Sequence, residues 1–413
     1  MASRDLLSLL LLFVAMESGV KSTEVSDQVK NLAQANNEFS VHLYQTLQGT
    51  HEGQNLFFSP LSISTALAMT HLGARGNSLA QLSKVLRFDK MEESKLHDSF
   101  RELNSLLYKS AGSYVLRGAN KLYGKAGVKF VQEFLDSTKA FYGSALEAVE
   151  DFTDPAVQAR INDWVSQQTE GKIRDLISPD HVNTLTKLIL INAIYFKGKW
   201  DKPFEPEDTE PGTFRKPHEA VLMDMMSQSG WFQISDDKTR KCFVLEMPYV
   251  DKDLSMLAVL PWETDGLASV EAQLSQEVLD FWDGDLMREK AEITFPRFKL
   301  EDTFSLPATL AAMGMTDPFS ATLANFEGIS GDRSLFISEV IHKSFIEVNE
   351  EGSEAAAATA VHMMARSIAP RPYELKFDHP FMFLIRDRRS KAVLFMGRIV
   401  DPPHDSQVQR DEL

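Results

Sequence analysis

Residues Leu188–Phe196 read LILINAIYF, an almost continuous apolar run. A run of this length suits a β-strand that is covered on both faces. Ala291–Phe298 and Ile337–Val348 are further strand candidates, and Phe381–Ile385 and Ala392–Ile399 flank the polar stretch RDRRSK, as the two arms of a β-hairpin would. These five segments predict that the later part of the chain consists mainly of strands.

The earlier part of the chain has helical signals instead. Ser59 followed by Pro60 combines a preferred N-cap residue with a proline at the first helical position. Ser62–Leu72 continues with small and apolar residues on every side and Gly73 is a typical end, so we expect a buried helix. Gln158–Thr169 predicts a second, amphipathic helix. Helices first and strands later indicate one large α+β domain.

The composition excludes several classes of function. The chain has 413 residues with 43 Lys and Arg against 59 Asp and Glu, which gives a formal net charge of −16. This acidic balance argues against a nucleic-acid partner or an anionic membrane surface, whose sites need clustered basic residues. Cys242 is the single cysteine, so an intrachain disulfide and a cysteine-rich zinc site are both excluded.

The first 22 residues have the three-part pattern of a secretory signal peptide. Arg4 lies near the start, Leu6–Met16 is apolar, and Val20 and Ser22 are small residues suited to a cleavage site. A membrane span needs about 20 apolar residues, and this run has 11. We therefore expect residues 1–22 to be a cleaved signal and the protein not to insert into a membrane.

The last four residues, Arg410, Asp411, Glu412 and Leu413, resemble a retrieval signal of the endoplasmic reticulum. Lys-Asp-Glu-Leu and His-Asp-Glu-Leu are its usual forms, and Arg410 is a basic substitute at the first position. Residues 410–413 therefore predict the retrieval receptor as a partner. Together with the signal peptide, they predict a location in the early secretory pathway, with part of the protein secreted.

A search for catalytic chemistry gives no support for an enzyme. The sequence has no nucleophile elbow, no zinc-binding His-Glu-x-x-His helix and no phosphate-binding loop. His71, His342 and His379 lie in apolar segments, where a hydrogen-bonded core histidine is the simpler interpretation. Cys242 lies in a strand-like run and is expected to be buried and inert. We expect no enzymatic activity, no metal and no cofactor.

The segment Glu350–Ser367 is unusual, because it follows a strong strand candidate yet holds only small residues from Ala355 to Ala360. One interpretation is an exposed alanine helix, although apolar anchors at helical spacing are missing. The other is a strand that can slip between two existing strands, with Gly352 as a swivel. The residues that would then enter the core are small: Ser353, Ala355, Ala357, Thr359 and Val361. Arg366 stands just beyond them, as a protease cleavage residue would.

Five segments in the same order resemble motifs of the serpin family and span nearly the whole chain. They are Asn55–Ser78, Leu190–Trp200, Val244–Tyr249, Phe377–Phe381 and Phe395–Ile399. The first resembles the family's buried helix, and the second resembles its central strand, which ends at a tryptophan.

The resemblance implies a serpin fold with three β-sheets, about nine helices and an exposed reactive loop. It places the serpin domain at residues 23–409 and the loop at about 350–372. It also implies a monomeric suicide-substrate inhibitor of serine proteases. The target protease cuts the loop, the cut loop inserts as an extra strand of the main sheet, and the covalent acyl-enzyme is distorted so that it cannot be hydrolysed.

The resemblance also assigns roles to individual residues. It places the reactive bond between Arg366 and Ser367, with Met363, Met364 and Ala365 as the subsite residues before it. The hinge would be formed by Glu350, Glu351, Gly352, Ser353, Glu354, Ala355, Ala356, Ala357, Ala358 and Thr359. The sheet gate, the cluster under the sheet where strands part, would be Ser59, Pro60, Ser62, Asn192 and His342, with His342 bonded to Asn192. Insertion would begin at Trp200, beside an ion pair of Arg297 and Glu350.

Arg366 predicts a target protease with an acid at the bottom of its primary pocket. Trypsin-like enzymes and the furin-like proprotein convertases both fit. Location favours the convertases, but these prefer basic residues at the positions occupied by Ala365 and Met363.

The alternative function is that of a non-inhibitory, collagen-binding chaperone serpin of the endoplasmic reticulum. Such serpins generally lack a smooth hinge of small residues, and here Ala355–Ala358 is unbroken. The hinge therefore favours inhibition. Leu96–Ser110 and its flanks show no basic stripe, so heparin activation is not predicted.

Overall fold

The structure is a computed structural model that describes residues 25–108, 114–144, 146–216, 219–351 and 371–402. Four predictions lie outside the described residues: the signal peptide, the hinge from Gly352 onward, the Arg366–Ser367 bond with its subsite residues, and the retrieval signal. Within the described ranges, no helix has the length and apolar character needed to cross a membrane.

Ten α-helices occur in the described part of the chain. They are α1 (Asp27–Thr50), α2 (Pro60–His71), α3 (Gly76–Val85), α4 (Glu93–Leu107), α5 (Gln132–Tyr142), α6 (Pro155–Gln168), α7 (Leu267–Glu271), α8 (Gln276–Asp285), α9 (Pro307–Ala312) and α10 (Glu327–Ser330). The two predicted helices are confirmed as α2 and α6. Each begins with a proline at the first position after a side-chain cap, from Ser59 and Asp154 respectively.

Fourteen strands are described. They are β1 (Leu56–Phe58), β2 (Tyr114–Lys125), β3 (Leu146–Val149), β4 (Leu188–Gly198), β5 (Thr209–Arg215), β6 (Ala220–Asp237), β7 (Cys242–Pro248), β8 (Leu254–Pro261), β9 (Met287–Pro296), β10 (Phe298–Ser305), β11 (Ile337–Val348), β12 (Tyr373–Lys376), β13 (Phe381–Asp387) and β14 (Val393–Ile399). The predicted β13–β14 hairpin is antiparallel, and β11 has the predicted bounds. The predicted strand Ala291–Phe298 was wrong in one respect, because Arg297 separates β9 from β10.

The strands pair into two hydrogen-bonded sheets. The main sheet has the order β10-β11-β4-β2-β3, and the nine-stranded back sheet has the order β1-β14-β13-β8-β7-β6-β9-β12, with β5 on β6. The 18-residue β6 pairs with β5 along residues 220–226, with β9 along residues 225–234 and with β7 along residues 233–237. Strand β6 thus connects β5, β9 and β12 to the rest of the back sheet. Two of the three expected sheets therefore form one continuous hydrogen-bonded sheet.

Helix α2 lies in the core between the two sheets. All twelve of its residues are buried, and it contacts β4 of the main sheet and β14 of the back sheet. A helix surrounded by protein has no polar face, which explains why its sequence is apolar or small on every side. The opposite face of the main sheet is covered by α6, whose Ile161 and Val165 pack in a second apolar cluster. The predicted α+β class is confirmed.

Candidate functional site: the seam between two parallel strands

The main sheet has a parallel pair at its centre. Strands β4 and β11 run parallel, with Asn192 opposite His342, while the neighbours β2 and β10 are antiparallel to them. We call this β4–β11 junction the seam. One additional strand placed in the seam would be antiparallel to both neighbours, and antiparallel ladders are the slightly more stable kind. The chain that leaves β11 at Val348 must turn back to enter the seam, so it would enter in that antiparallel direction.

A buried polar cluster lies under the seam. His342 Nδ1 donates a hydrogen bond to Asn192 Oδ1, while His342 Nε2 accepts one from the Ser59 amide at 3.0 Å. Because the amide can only donate, the proton is assigned to Nδ1 and the ring is neutral. Burial lowers the pKa of His342 to about 3, which also keeps the ring uncharged.

The start of α2 delivers the other members of this cluster. Ser59 Oγ caps the helix by accepting from the Ser62 amide at 3.2 Å and donates to the Leu394 carbonyl at 2.6 Å. Pro60 occupies the first helical position. Asn192 Nδ2 donates to the Ser62 carbonyl at 3.2 Å. The five predicted sheet-gate residues therefore come together, and the predicted His342–Asn192 hydrogen bond is present; their role in parting the strands stays a prediction.

Two further polar residues of the cluster were missed from the sequence. Asn120 on β2 lies opposite Asn192 and accepts a hydrogen bond from its side-chain amide. Ser344 on β11 donates to the Phe57 carbonyl at 2.7 Å. A polar residue inside a predicted strand would have indicated such a position. Because Tyr114–Lys125 is not among the predicted strands, Asn120 could not be placed next to Asn192.

The C-terminal end of the seam is held by a second set of contacts. Trp200 stacks on Tyr249 with 4.6 Å between ring centroids, and its Nε1 donates to the Asn349 carbonyl at 3.0 Å. The bulky side chain thus fixes the point at which the chain leaves β11. Asn349 Oδ1 is buried and has no hydrogen-bond partner within the described residues.

Glu350 is anchored at the same end. Its side chain accepts from Thr209 Oγ1 at 2.9 Å and lies 3.5 Å from Arg297 Nη1, and its carbonyl accepts from the Phe204 amide at 2.9 Å. The predicted Arg297–Glu350 ion pair is present. Because 45% of the Arg297 side chain is exposed, this ion pair is worth at most about 1 kcal/mol. The hydrogen bonds position Glu350 more than the charge does.

Helix α6 lies on the outer face of the main sheet, where it contacts β2, the neighbour of β4. Its Ile161 and Val165 pack in the same apolar cluster as Ile191 of β4 and Ile341 of β11. Separation of β4 from β11 would therefore disturb an apolar cluster that includes residues of α6.

The other residues singled out from the sequence are structural. His71 bonds to Ser83 at 2.9 Å and His379 donates to the Pro261 carbonyl at 2.8 Å, so both are hydrogen-bonded core histidines. Burial raises the pKa of the Cys242 thiol to about 12, which makes it unreactive at neutral pH. In the part of the chain that the structure describes, no three His, Cys, Asp or Glu side chains converge as a metal site would require.

Comparisons with known proteins agree with this architecture. A family model described as "Serpin (serine protease inhibitor)" matches residues 34–402, so the chain belongs to the serpin family. It is 44% identical over 382 residues to a leukocyte elastase inhibitor of Xenopus tropicalis, covering 91% of this chain and 100% of that protein. It is 42% identical over 383 residues to the leukocyte elastase inhibitor of Homo sapiens, with coverage of 91% and 100%.

The fold is also similar to a solved structure of uncleaved ovalbumin. The TM-score is 0.82 at 34% sequence identity, and the match covers 90% of this chain and 100% of ovalbumin. The prediction of the serpin family and of the serpin fold is confirmed.

Proposed function

We propose that this serpin is a suicide-substrate inhibitor of Arg-specific serine proteases that is cut between Arg366 and Ser367. The observation that carries the proposal is the parallel β4–β11 seam, which lies beside the start of the predicted hinge at Glu350. Cleavage frees the hinge to enter the seam as an antiparallel strand. The protease, still bound to Arg366 through an ester, is then pulled along with it.

The inward side chains of the residues predicted to enter the seam are small enough to be buried in the main sheet. Ser353, Ala355, Ala357, Thr359 and Val361 alternate along the chain and share one face of an extended strand. These small side chains suit the space under the seam, where His342 and Asn192 already occupy the core. Displacement of the catalytic atoms of a protease by about 1 Å can reduce its rate about 100-fold, so distortion of the active site slows deacylation strongly.

Arg366 points to proteases with a carboxylate at the bottom of the primary pocket, as in trypsin. Among these, we propose furin-like proprotein convertases as the first targets because of the proposed location, while Met363 and Ala365 fit trypsin-like enzymes as well. The relatives are named as inhibitors of leukocyte elastase. The small elastase pocket would select Ala365 or Met364 rather than Arg366, so a panel of enzymes must include elastase.

The test is to mix the protein with trypsin, furin and leukocyte elastase in separate reactions. We expect an SDS-stable covalent complex with the Arg-specific enzymes and a released fragment that begins at Ser367. A fragment that begins at Arg366 or Ala365 would move the reactive bond. Complete cleavage without a covalent complex would refute inhibition.

We further propose that the protein works inside the early secretory pathway, with residues 1–22 as its entry signal and residues 410–413 as its retrieval signal. Deletion of Arg410–Leu413 should increase the amount of protein in the medium several-fold. A matched variant with the last four residues reversed in order tests whether the signal, rather than the length of the tail, is responsible. Unchanged retention after deletion would overturn this location.

A collagen-binding chaperone is the alternative function. The names of the relatives favour inhibition, because they are described as inhibitors. Failure to trap any protease, together with retention and collagen binding, would favour the chaperone instead.

A further inference from the structure

Three aromatic side chains form a continuous row near the point where the chain returns from the loop. Phe243 contacts Trp262 with ring centroids 5.9 Å apart and Tyr373 with centroids 5.8 Å apart. Trp262 is 40% exposed, and the other two rings are partly exposed. Single exposed aromatics are common, whereas touching rings create a surface on which a partner can dock.

Two carboxylates lie beside this row. Asp236 lies opposite Phe243 in the β6–β7 ladder, and Glu289 lies two residues before Ala291, the partner of Tyr373, so both acids are on the face of the rings. Burial and these two carboxylates raise the pKa of Tyr373. Neither acid makes an ion pair with any described residue, and Asp236 Oδ1 is buried without a hydrogen-bond partner there. Two cations lie near these acids: Arg240, which is paired with Asp237 at 2.7 Å, and the exposed Lys241, whose carbonyl accepts from the Trp262 amide at 2.8 Å.

Aromatic faces and free carboxylates together match one kind of ligand. A Lys or Arg side chain gains a cation–π contact from the rings and a charge-assisted hydrogen bond from an acid. The unsatisfied Asp236 oxygen would obtain a donor in such a complex. The expected occupant is therefore a basic side chain on the surface of another protein.

The short spacing between Arg366 and Tyr373 limits how far a protease bound at Arg366 can lie from this surface. Tyr373 is seven positions after Arg366, so the two can be at most about 25 Å apart. A protease held at Arg366 is wider than that reach. Its surface beside the active site is therefore within reach of the row.

We propose that Phe243, Trp262 and Tyr373, with Asp236 and Glu289, form an exosite that docks a basic side chain of the target protease. The proposal rests on the inhibitory function and adds a second level of specificity to it. Arg366 selects the primary pocket, and the exosite selects proteases that are basic beside that pocket. Complementary charge of this kind acts mainly on the rate of encounter.

The experiment compares cationic and anionic trypsin, which share a primary specificity and differ in surface charge. Second-order rates of loop cleavage and of complex formation are measured at low and high salt. We expect the wild-type protein to react about 10-fold faster with cationic trypsin at low salt, and salt to reduce this ratio. Glu289→Arg and Trp262→Ala should each lower the ratio about 3-fold or more.

Glu292→Arg is the matched control. Glu292 lies on the same strand, three residues further on, with the opposite side-chain direction, and is exposed. It changes the net charge equally, so its ratio should stay close to that of the wild type. An equal loss in Glu292→Arg, or an unchanged ratio in both exosite variants, would overturn the exosite. If the loop is cut without trapping, the inhibitory function fails, while the ratio of cleavage rates still tests the exosite.

Discussion

The seam of the main sheet and the centre of the back sheet are built in opposite ways. Every residue of β8, β13 and β14 is buried, and these strands pair antiparallel throughout. At the seam the strands are parallel, and polar side chains occupy the core beneath them. The back-sheet strands bury charges near their ends, paired as Arg386 with Glu246 and Arg398 with Glu271. Under the seam, neutral polar side chains lie at the middle of the β4–β11 ladder and bond to one another. The molecule thus combines a closed sheet with one junction suited to receive a strand.

The strongest test of the seam is Ser353→Arg. Ser353 is the first predicted inserted residue with an inward side chain, and burial of a charge there is costly. We expect the variant to be cleaved by trypsin with more than about 10-fold loss of covalent complex. Ser353→Thr is the control and should trap normally. Undiminished trapping by Ser353→Arg would show that the hinge alignment is wrong.

The back sheet should respond most strongly to a cavity. Phe383 is fully buried and packs against Phe57 and Phe298, with ring centroids 5.9 and 5.6 Å apart. Phe383→Ala should lower the free energy of unfolding by about 3–5 kcal/mol in urea titrations. Phe281→Ala, at a side chain that is 44% exposed, should cost about 1 kcal/mol or less. Equal effects would contradict the description of the back sheet as closely packed.

The seam should make stability depend on pH. Burial lowers the pKa of His342 to about 3, while the unfolded side chain titrates near 6.5. The unfolded chain therefore binds a proton first, so the full free energy of unfolding is present above pH 6.5. It falls as the pH drops toward 3, by about 1.4 kcal/mol per pH unit for this histidine.

Urea titrations at pH 7.5 and pH 5 of the wild type and of His342→Gln measure this contribution. The glutamine can donate to Asn192 and accept from Ser59, yet it does not titrate. We expect a smaller loss of stability in the variant. His71 and His97, whose pKa values burial lowers to about 4 and about 3, remain in both proteins and cancel in the comparison. Identical losses would mean that His342 is not neutral in the native state.

The smallest expected effect is that of Glu350→Gln at the end of the seam. The amide keeps an acceptor for Thr209, and the ion pair to the half-exposed Arg297 contributes at most about 1 kcal/mol. Thermal unfolding should therefore change little, and Thr209→Val, which removes the hydroxyl donor, should cost more. A larger loss in Glu350→Gln than in Thr209→Val would show that the charge dominates this anchor.

Much of the fold follows from local pattern. Ile337–Val348 has the predicted bounds because its isoleucines, valines and phenylalanine favour a strand, although half of its residues are polar or charged. Ala291–Phe298 was predicted as one strand because its apolar residues continue past Arg297, and only tertiary pairing separates β9 from β10. The seam itself could not be derived from local pattern, because parallel pairing of β4 with β11 joins segments that are far apart in sequence.

The candidate site was predicted through family resemblance, and its omissions have a physical cause. Asn120 was missed because β2 carries mixed polar and apolar residues, so neither strand nor helix periodicity is clear. The aromatic row was missed because Phe243, Trp262 and Tyr373 come from three segments. Contacts of that kind exist only after the chain has folded.

The packing of α6 affects the rate at which a strand can enter the seam, and not the stability of the sheet after insertion. Ile161 and Val165 belong to one apolar cluster with Ile191 of β4 and Ile341 of β11, so parting of the two strands disturbs the packing of α6, which can form again afterwards. Such contacts raise the activation barrier without changing the end point. The rate of strand insertion therefore depends on residues of α6, which is not part of the sheet. The stability of the inserted state depends on the residues of the sheet itself.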